Sequence, residues 1–359
     1  MAIAGWVPIR DDLRAFEPYG APQLDVPVRL NVNENPYPPS AELIADLGAA
    51  VAGALGRLNR YPDREAWTLR AALARYLRHG LEAAEVWAAN GSNEVMQQIL
   101  QAFGGPGRTA VSFAPTYSMY PEYARNTHTR WVTGQRAADF SIDAADAVAL
   151  IAAEQPDVVL LTSPNNPTGT ALPLETVRAV CAAAPGVVVV DEAYIEFRRD
   201  GTPTALELLP ECPTLLVSRT LSKAFAFAGG RLGYVAAAAE IIDALRVVRL
   251  PYHPSAVTQA VATTALGHGE EMLSRVEELR AARDEAATWL RGRGLEVAES
   301  DANFVLFGRF EDRHAIWQGL LDRGVLIREV GPAGRLRVSI GAPSEMDTFY
   351  QAMQEVLDR

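Results

Sequence analysis

Lysine is almost missing from this chain of 359 residues. Of its 33 basic residues, 32 are arginine and one is lysine, Lys223, although lysine is ordinarily among the commonest amino acids. Arginine can replace lysine wherever only a positive charge is needed, but it cannot supply the deprotonated primary amine that imine chemistry requires. Lys223 is therefore a candidate for covalent chemistry, and the alternative is that one surface lysine has survived by chance.

Other shortages exclude whole classes of protein. Two cysteines are too few for a disulfide framework, and the five histidines show no metal-ligand spacing, so we expect no metal site. The longest uncharged stretch, residues 250–269, is interrupted by prolines and predicts no membrane span. Acidic residues outnumber basic ones by 44 to 33, which disfavours nucleic acids and anionic membranes as partners. The first residues contain charges and no apolar run, so we expect no signal peptide and a cytoplasmic location.

The length and the hydrophobic pattern predict an α/β protein with more than one domain. Apolar runs that resemble strands buried on both faces of a mainly parallel sheet lie at 109–113, 157–163, 187–193, 214–220 and 231–237. Helical patterns separate several of them, as in βαβ units. We predict an N-terminal arm at 1–40, a large domain at 41–255 and a small α+β domain at 256–359. One long helix is expected over 255–293, followed by strands at 295–299, 303–308, 324–329 and 335–340.

Three of the predicted strands are followed by chemically active side chains. Asn166 follows the first of them, Asp191 and Tyr194 follow the second, and Lys223 follows the third. The carboxyl ends of parallel strands meet at one edge of a sheet, so we expect these residues to lie together. Each motif alone is also compatible with a turn or a helix cap, and it is their combination that favours a site.

This combination suits pyridoxal 5′-phosphate. The aldehyde of that cofactor needs a lysine amine, its ring nitrogen needs a carboxylate, and its ring hydroxyl needs hydrogen-bond donors. Its phosphate needs a helix N-terminus, which Gly91-Ser92-Asn93 predicts, and an arginine, for which Arg231 is the candidate.

The motifs resemble those of the fold-type I pyridoxal-phosphate-dependent aminotransferases, and among these the histidinol-phosphate aminotransferase branch. The resemblance covers nearly the whole chain and is carried by N-E-N-P at 33–36, R-Y-P-D at 60–63, D-E-A-Y at 191–194 and T-L-S-K-A-F at 220–225. It implies a large domain with a mostly parallel sheet flanked by helices, a smaller α+β domain and an N-terminal arm. The implied reaction transfers an amino group between L-glutamate and imidazole acetol phosphate, giving L-histidinol phosphate and 2-oxoglutarate in histidine biosynthesis.

The resemblance also implies a role for each matching residue. Lys223 is expected to bond to the cofactor aldehyde and to move the proton during the reaction, and Asp191 to pair with the ring nitrogen. The other expected cofactor ligands are Ser92, Asn93, Tyr117, Asn166, Tyr194, Thr220, Ser222 and Arg231. Tyr61 is expected to reach the cofactor of the neighbouring subunit, which implies a homodimer with shared active sites; alternatively it is a core aromatic residue. The expected substrate ligands are Tyr19, Asn33, Arg328 and Arg337, although Arg328 could instead be a solvated charge at a strand end.

Three other functions remain open. The same scaffold could use an aromatic 2-oxo acid such as phenylpyruvate as the amino acceptor. It could decarboxylate a phosphorylated amino acid, or it could be the cofactor-sensing domain of a transcription regulator. The net charge of −11 and the lack of a helix-turn-helix pattern at the N-terminus disfavour the regulator.

Overall fold

The computed structural model of the chain describes residues 4–358. Its α-helices are α1 (Ala41–Leu55), α2 (Trp67–Leu77), α3 (Ser92–Phe103), α4 (Tyr120–Asn126), α5 (Ala144–Glu154), α6 (Leu174–Ala183), α7 (Ala239–Val248), α8 (Ala256–Gly267), α9 (Gly269–Gly292), α10 (Arg313–Leu321) and α11 (Pro343–Leu357). Its strands are β1 (Val28–Arg29), β2 (Val86–Ala89), β3 (Thr109–Ala114), β4 (Arg130–Gln135), β5 (Val158–Thr162), β6 (Val187–Asp191), β7 (Leu215–Thr220), β8 (Gly233–Ala236), β9 (Phe304–Phe307), β10 (Val325–Leu326) and β11 (Leu336–Ser339).

The main sheet has seven strands in the order β2-β8-β7-β6-β5-β3-β4. Within this sheet β8 runs antiparallel to both of its neighbours, and the pairs from β7 through β4 are parallel. The predicted mostly parallel sheet flanked by helices is confirmed. The carboxyl ends of the parallel strands lie at one edge of this sheet, and this edge is where open α/β sheets bind ligands.

The apolar runs of the central strands bury side chains on both faces of the sheet. In β6, Val187 and Val189 pack into the cluster that includes α3, α4 and α7. Val188 and Val190 pack on the opposite face, into the cluster that includes α2, α5, α6 and α8. Successive strand residues point to opposite faces, so a strand that is covered twice must be apolar at every position. This requirement explains the uninterrupted valine run.

The C-terminal part of the chain forms two small sheets. Strands β9 and β11 pair antiparallel, and β10 pairs in parallel with β1, with Val28 opposite Val325. The end of the predicted arm is therefore joined by backbone hydrogen bonds to the C-terminal segment, while residues 4–27 contain one short 3₁₀ turn, Asp11–Leu13, and are mostly exposed. No helix within residues 4–358 is long and apolar enough to cross a membrane.

Two expectations about this region are wrong. The predicted helix over 255–293 is divided at His268 into α8 and α9, and α8 packs on α1 and α2. The glycines on either side of His268 explain the break, because glycine is a weak helix former. Residues 295–299 do not form a strand; Val297 makes only an isolated bridge to Phe307. The predicted domain bounds at residues 40 and 255 stay predictions.

Candidate active site

A cavity of about 270 Å³ opens where β5, β6 and β7 end. Thr162 and Asp191 are the last residues of β5 and β6, and Thr220 is the last residue of β7, directly before Leu221-Ser222-Lys223. The cavity is lined by all but one of the predicted site residues: Tyr19, Asn33, Ser92, Asn93, Tyr117, Asn166, Asp191, Tyr194, Thr220, Ser222, Lys223, Arg231, Arg328 and Arg337. The exception is Tyr61.

The amine of Lys223 lies at the wall of this cavity. Its Nζ donates a hydrogen bond to the carbonyl of Val32 at 2.9 Å and lies 5.8 Å from the ring centre of Tyr194. Burial, together with the positive charges of Arg337 and Arg231, lowers the pKa of Lys223 to about 8. A lysine with this pKa has an appreciable neutral fraction near neutral pH, which a nucleophile or a general base needs.

A buried carboxylate, that of Asp191, lies in the same cavity. Asp191 is 4% exposed; its Oδ2 accepts a hydrogen bond from the hydroxyl of Tyr120 at 3.0 Å, and its Oδ1 accepts one from the Ala193 N–H at 3.2 Å. Burial raises the pKa of Asp191 to about 6, and these two hydrogen bonds oppose that rise. The group therefore stays mostly ionised at neutral pH and can pair with a cation in the cavity.

The next residue, Glu192, faces the opposite side of the sheet. Its carboxylate accepts hydrogen bonds from Thr204 Oγ1 and from the Ala205 N–H, and it forms an ion pair of 2.8 Å with Arg219. Both members of the pair are almost fully buried. Two adjacent carboxylates at the end of β6 thus have separate environments, one in the cavity and one in a closed ion pair.

A candidate anion site lies at the start of α3. Gly91 has a φ of +89° and gives this helix no side-chain cap, so its first N–H groups lie open beside Ser92 and Asn93. The guanidinium of Arg231 lies close by, and its Nη1 is 3.4 Å from Ser222 Oγ. A Cβ on Gly91 would lie 2.5 Å from Arg231 Nη2. Free N–H groups, a helix dipole and an arginine together bind an anion such as a phosphate.

A second candidate anion site faces the cavity from β11. Arg337 is 5% exposed; its Nη1 donates to Asn166 Oδ1 at 2.5 Å and its Nη2 to the Asn31 carbonyl at 2.9 Å. Its Nε is buried without a partner in the described structure. Burial lowers the pKa of Arg337 to about 10, so it remains a cation at neutral pH. Arg328 lies beside it, because two backbone hydrogen bonds of 2.9 Å join the two residues.

The phenol of Tyr194 is surrounded by amides. Its oxygen accepts hydrogen bonds from Asn33 Nδ2 at 3.0 Å and from Asn166 Nδ2 at 3.4 Å. Asn33 is fixed in turn by Ser339, which accepts from its backbone N–H and donates to its Oδ1, both at 2.8 Å. A hydroxyl that accepts two such bonds has only its own proton left to donate. That proton is available to a group in the cavity.

Tyr61 lies outside this cavity. Its side chain is 79% exposed and stacks on Tyr252 with ring centres 4.4 Å apart. The interpretation of Tyr61 as a core aromatic residue is therefore wrong, and its expected contact with a second subunit stays a prediction.

Sequence reasoning missed several residues of the site. Asn31, Val32, Ser118 and Thr162 line the cavity, and Tyr120 contacts Asp191 from the first position of α4. Tyr117 lies before α4, so no helical spacing in the sequence connects Tyr120 to the site, and the contact depends on how α4 packs.

Known proteins resemble this chain over nearly its whole length. Residues 26–353 match the family model for aminotransferases of class I and II. The chain is 65% identical over 347 residues to the histidinol-phosphate aminotransferase of Thermobifida fusca, which covers 97% of this chain and 95% of that protein. It is 61% identical to histidinol-phosphate aminotransferase 3 of Burkholderia lata, over 98% and 96% of the two chains. The chain belongs to the histidinol-phosphate aminotransferases.

A solved structure agrees with this assignment. The histidinol-phosphate aminotransferase of Sinorhizobium meliloti, determined in complex with pyridoxal 5′-phosphate, superposes with a TM-score of 0.87 at 25% identity and covers 99% of each chain. The family and the fold inferred from the sequence motifs are confirmed. The cofactor of this aminotransferase is pyridoxal 5′-phosphate.

Proposed function

We propose that this enzyme transfers an amino group between L-glutamate and imidazole acetol phosphate, giving L-histidinol phosphate and 2-oxoglutarate. The observation that carries the proposal is the cavity that combines an amine of lowered pKa, a buried carboxylate and two arginines. The predicted cytoplasmic location stays a prediction.

The residues of the cavity fit the cofactor. The open N–H groups at the start of α3, with Ser222 and Arg231, suit its phosphate. Asp191 suits a protonated ring nitrogen because the carboxylate is ionised and almost excluded from water. Tyr194 and Asn166 suit the ring hydroxyl, and Tyr117 lines the cavity where a ring could stack.

The chemistry is divided between the cofactor and the chain. When bound, pyridoxal phosphate supplies an aldehyde that bonds to amines and a ring that takes up electrons from the substrate α-carbon. Lys223 is suited to move the proton, because its Nζ, with a pKa lowered to about 8, can be neutral near neutral pH. Asp191 holds a positive charge on the ring nitrogen, and the walls that bury both groups exclude water.

The two arginines explain how one site accepts two different anions. Glutamate brings carboxylates, whereas the imidazole substrate brings a phosphate and no carboxylate. A guanidinium binds either anion through two parallel hydrogen bonds, and both Arg328 and Arg337 line the cavity. Arg337 is proposed to bind the carboxylate of glutamate. Arg328, Arg337 and Tyr19 are proposed to bind the phosphate of the imidazole substrate together.

Separate half-reactions test the proposal. L-Glutamate alone should convert the absorbance of the bound cofactor to that of its amine form, and imidazole acetol phosphate should restore it. Phenylpyruvate at matched concentration tests the aromatic alternative, and release of carbon dioxide without any 2-oxo acid tests the decarboxylase. An enzyme whose absorbance does not respond to glutamate would contradict the proposal.

We further propose a homodimer in which Tyr61 reaches the cavity of the partner subunit. Around Tyr61 the surface exposes large apolar side chains, namely Leu58 (55%), Trp67 (54%), Val247 (83%), Leu250 (72%) and Tyr252 (37%). Segments 58–67 and 246–259 lie together, because Glu65 pairs with Arg246 at 2.9 Å and with Arg249 at 2.8 Å. An exposed apolar patch of this kind is typical of a protein interface.

Mixed dimers test the shared site. Lys223→Ala and Tyr61→Ala subunits should each be impaired alone. If Tyr61 acts on the partner's cavity, a dimer of one Lys223→Ala subunit and one Tyr61→Ala subunit contains one intact site and regains activity. The control is a dimer of one Lys223→Ala/Tyr61→Ala subunit and one wild-type subunit, which then contains no intact site. A monomer by light scattering, or mixed dimers no more active than their parents, would overturn the proposal.

A further inference from the structure

A row of three hydroxyl groups ends on the carboxylate of Asp191. Tyr120 Oη lies 3.0 Å from Asp191 Oδ2 and 2.9 Å from Thr162 Oγ1. Thr162 Oγ1 lies 3.2 Å from Thr116 Oγ1. Thr116 follows β3, Thr162 ends β5 and Tyr120 begins α4, so the row connects three separate elements to the carboxylate.

The carboxylate sets the direction of this row. An ionised carboxylate can only accept hydrogen bonds, so Tyr120 must donate its proton to Asp191. The phenol oxygen can then accept from Thr162, and Thr162 can accept from Thr116. Hydrogen bonds that all point the same way polarise one another and become stronger, above all where water is excluded. Tyr120 has no exposed surface, and Thr162 is 1% exposed.

We propose that Tyr120 is a positioning residue that keeps the Asp191 carboxylate ionised and oriented toward the protonated ring nitrogen of the cofactor, with Thr162 and Thr116 polarising the phenol. This inference rests on the proposed function, in which Asp191 pairs with that nitrogen. Tyr120 itself is not proposed to touch the cofactor.

The surroundings of Asp191 give Tyr120 this importance. Burial raises the pKa of Asp191 to about 6, and the Tyr120 hydroxyl is the strongest influence that lowers it, followed by the Ala193 N–H. The other titratable groups that interact with Asp191 are Glu192, Tyr117, Tyr123 and Tyr194. The phenols are neutral near pH 7, and Glu192 is paired with Arg219. Loss of the Tyr120 hydrogen bond is therefore expected to raise the pKa of Asp191 toward about 7.

Tyr120→Phe tests the role of the hydroxyl, and Tyr123→Phe is the matched control. Tyr123 lies on the same helix and is buried, but its hydroxyl has no hydrogen-bond partner in the described structure. The dissociation constant of pyridoxal phosphate is measured by absorbance titration of each apoenzyme as a function of pH. Thermal unfolding of the apoenzymes shows whether each variant folds.

Tyr120→Phe is expected to weaken cofactor binding about 10- to 100-fold at neutral pH, as for loss of a hydrogen bond to a charged group. The acid-side midpoint of binding should also rise by about one pH unit or more, which a loss of packing alone would not produce. Tyr123→Phe should match wild type in both quantities. Thr162→Val retains the phenol, so it should shift the midpoint in the same direction but less than Tyr120→Phe does. If Tyr120→Phe does not fold, Thr162→Val replaces it as the test.

Asp191→Asn distinguishes the proposed role of Asp191 in cofactor binding from the positioning role of Tyr120. If Asp191→Asn binds cofactor with wild-type affinity and pH dependence, the role of Asp191 in the proposed function is wrong. If Asp191→Asn is impaired while Tyr120→Phe and Thr162→Val keep the wild-type midpoint, only the positioning role is wrong. In the Asp191→Asn background, Tyr120→Phe should produce no further pH shift, and a full shift there would overturn the inference.

Discussion

The close approach of β8 to the start of α3 gives a sharp test of the proposed phosphate site. A Cβ on Gly233 would lie 2.1 Å from the Ser92 backbone nitrogen and 2.2 Å from the Gly91 carbonyl carbon. To reach an ordinary contact of 3.4 Å, the two segments must separate by about 1.3 Å. Gly233 is paired to Ala89 on one side and Thr220 on the other, so β8 cannot retreat and the helix start must move.

Gly233→Ala is therefore expected to destabilise the fold by about 1–3 kcal/mol, the usual cost of overpacking. It should weaken cofactor binding as well, by about 10- to 100-fold, because the N–H groups proposed to bind the phosphate would be displaced and a hydrogen bond to a charged group would be lost. Calorimetry and cofactor titration measure the two effects. Gly229→Ala is the control, since a Cβ there meets nothing within 4 Å. Equal cofactor affinity in the two variants would refute this account of the phosphate site.

Two further predictions concern charged groups of the cavity. The rate at which apoenzyme captures pyridoxal phosphate should rise with pH through a midpoint near 8, because only the neutral Lys223 amine reacts and burial lowers its pKa to about 8. Stopped-flow absorbance measures this rate. A midpoint near the pKa of free lysine would contradict the prediction. Arg337→Lys keeps the charge but loses the paired hydrogen bonds, so KM for glutamate should rise about 10- to 100-fold, while cofactor affinity, measured by titration, should change little.

Much of this site could be predicted because its residues follow strands of distinctive composition. The valine run of β6 predicts a doubly covered strand, and the ends of parallel strands must meet, so Asp191 and Lys223 are found together. The scarcity of lysine made Lys223 conspicuous. In these cases the signal lies in the residues of each strand and its end, and the geometry of a parallel sheet predicts that the strand ends lie together.

The remaining features depend on packing between distant segments. Tyr120 matters because α4 lies over the end of β5 and β6, and nothing local to Tyr120 specifies Asp191 as its partner. The pairing of Arg328 with Arg337 is a contact between strands that sequence spacing does not reveal. At 295–299 the alternating apolar pattern predicts a strand, but the segment is joined to β9 only around Val297, which bridges Phe307 through the backbone hydrogen bonds of Ala298 to Leu306 and of Gly308 to Glu296.

The buried Glu192–Arg219 ion pair affects the cavity on the other side of the sheet. Asp191, the last residue of β6, lines the cavity, and the next residue, Glu192, faces the opposite side of the sheet, where Arg219 binds it. A slip of β6 by one residue would bring the glutamate forward and separate it from Arg219, and breaking a buried pair in this way costs about 3–5 kcal/mol. The Glu192–Arg219 pair therefore stabilises the register in which the Asp191 carboxylate lines the cavity.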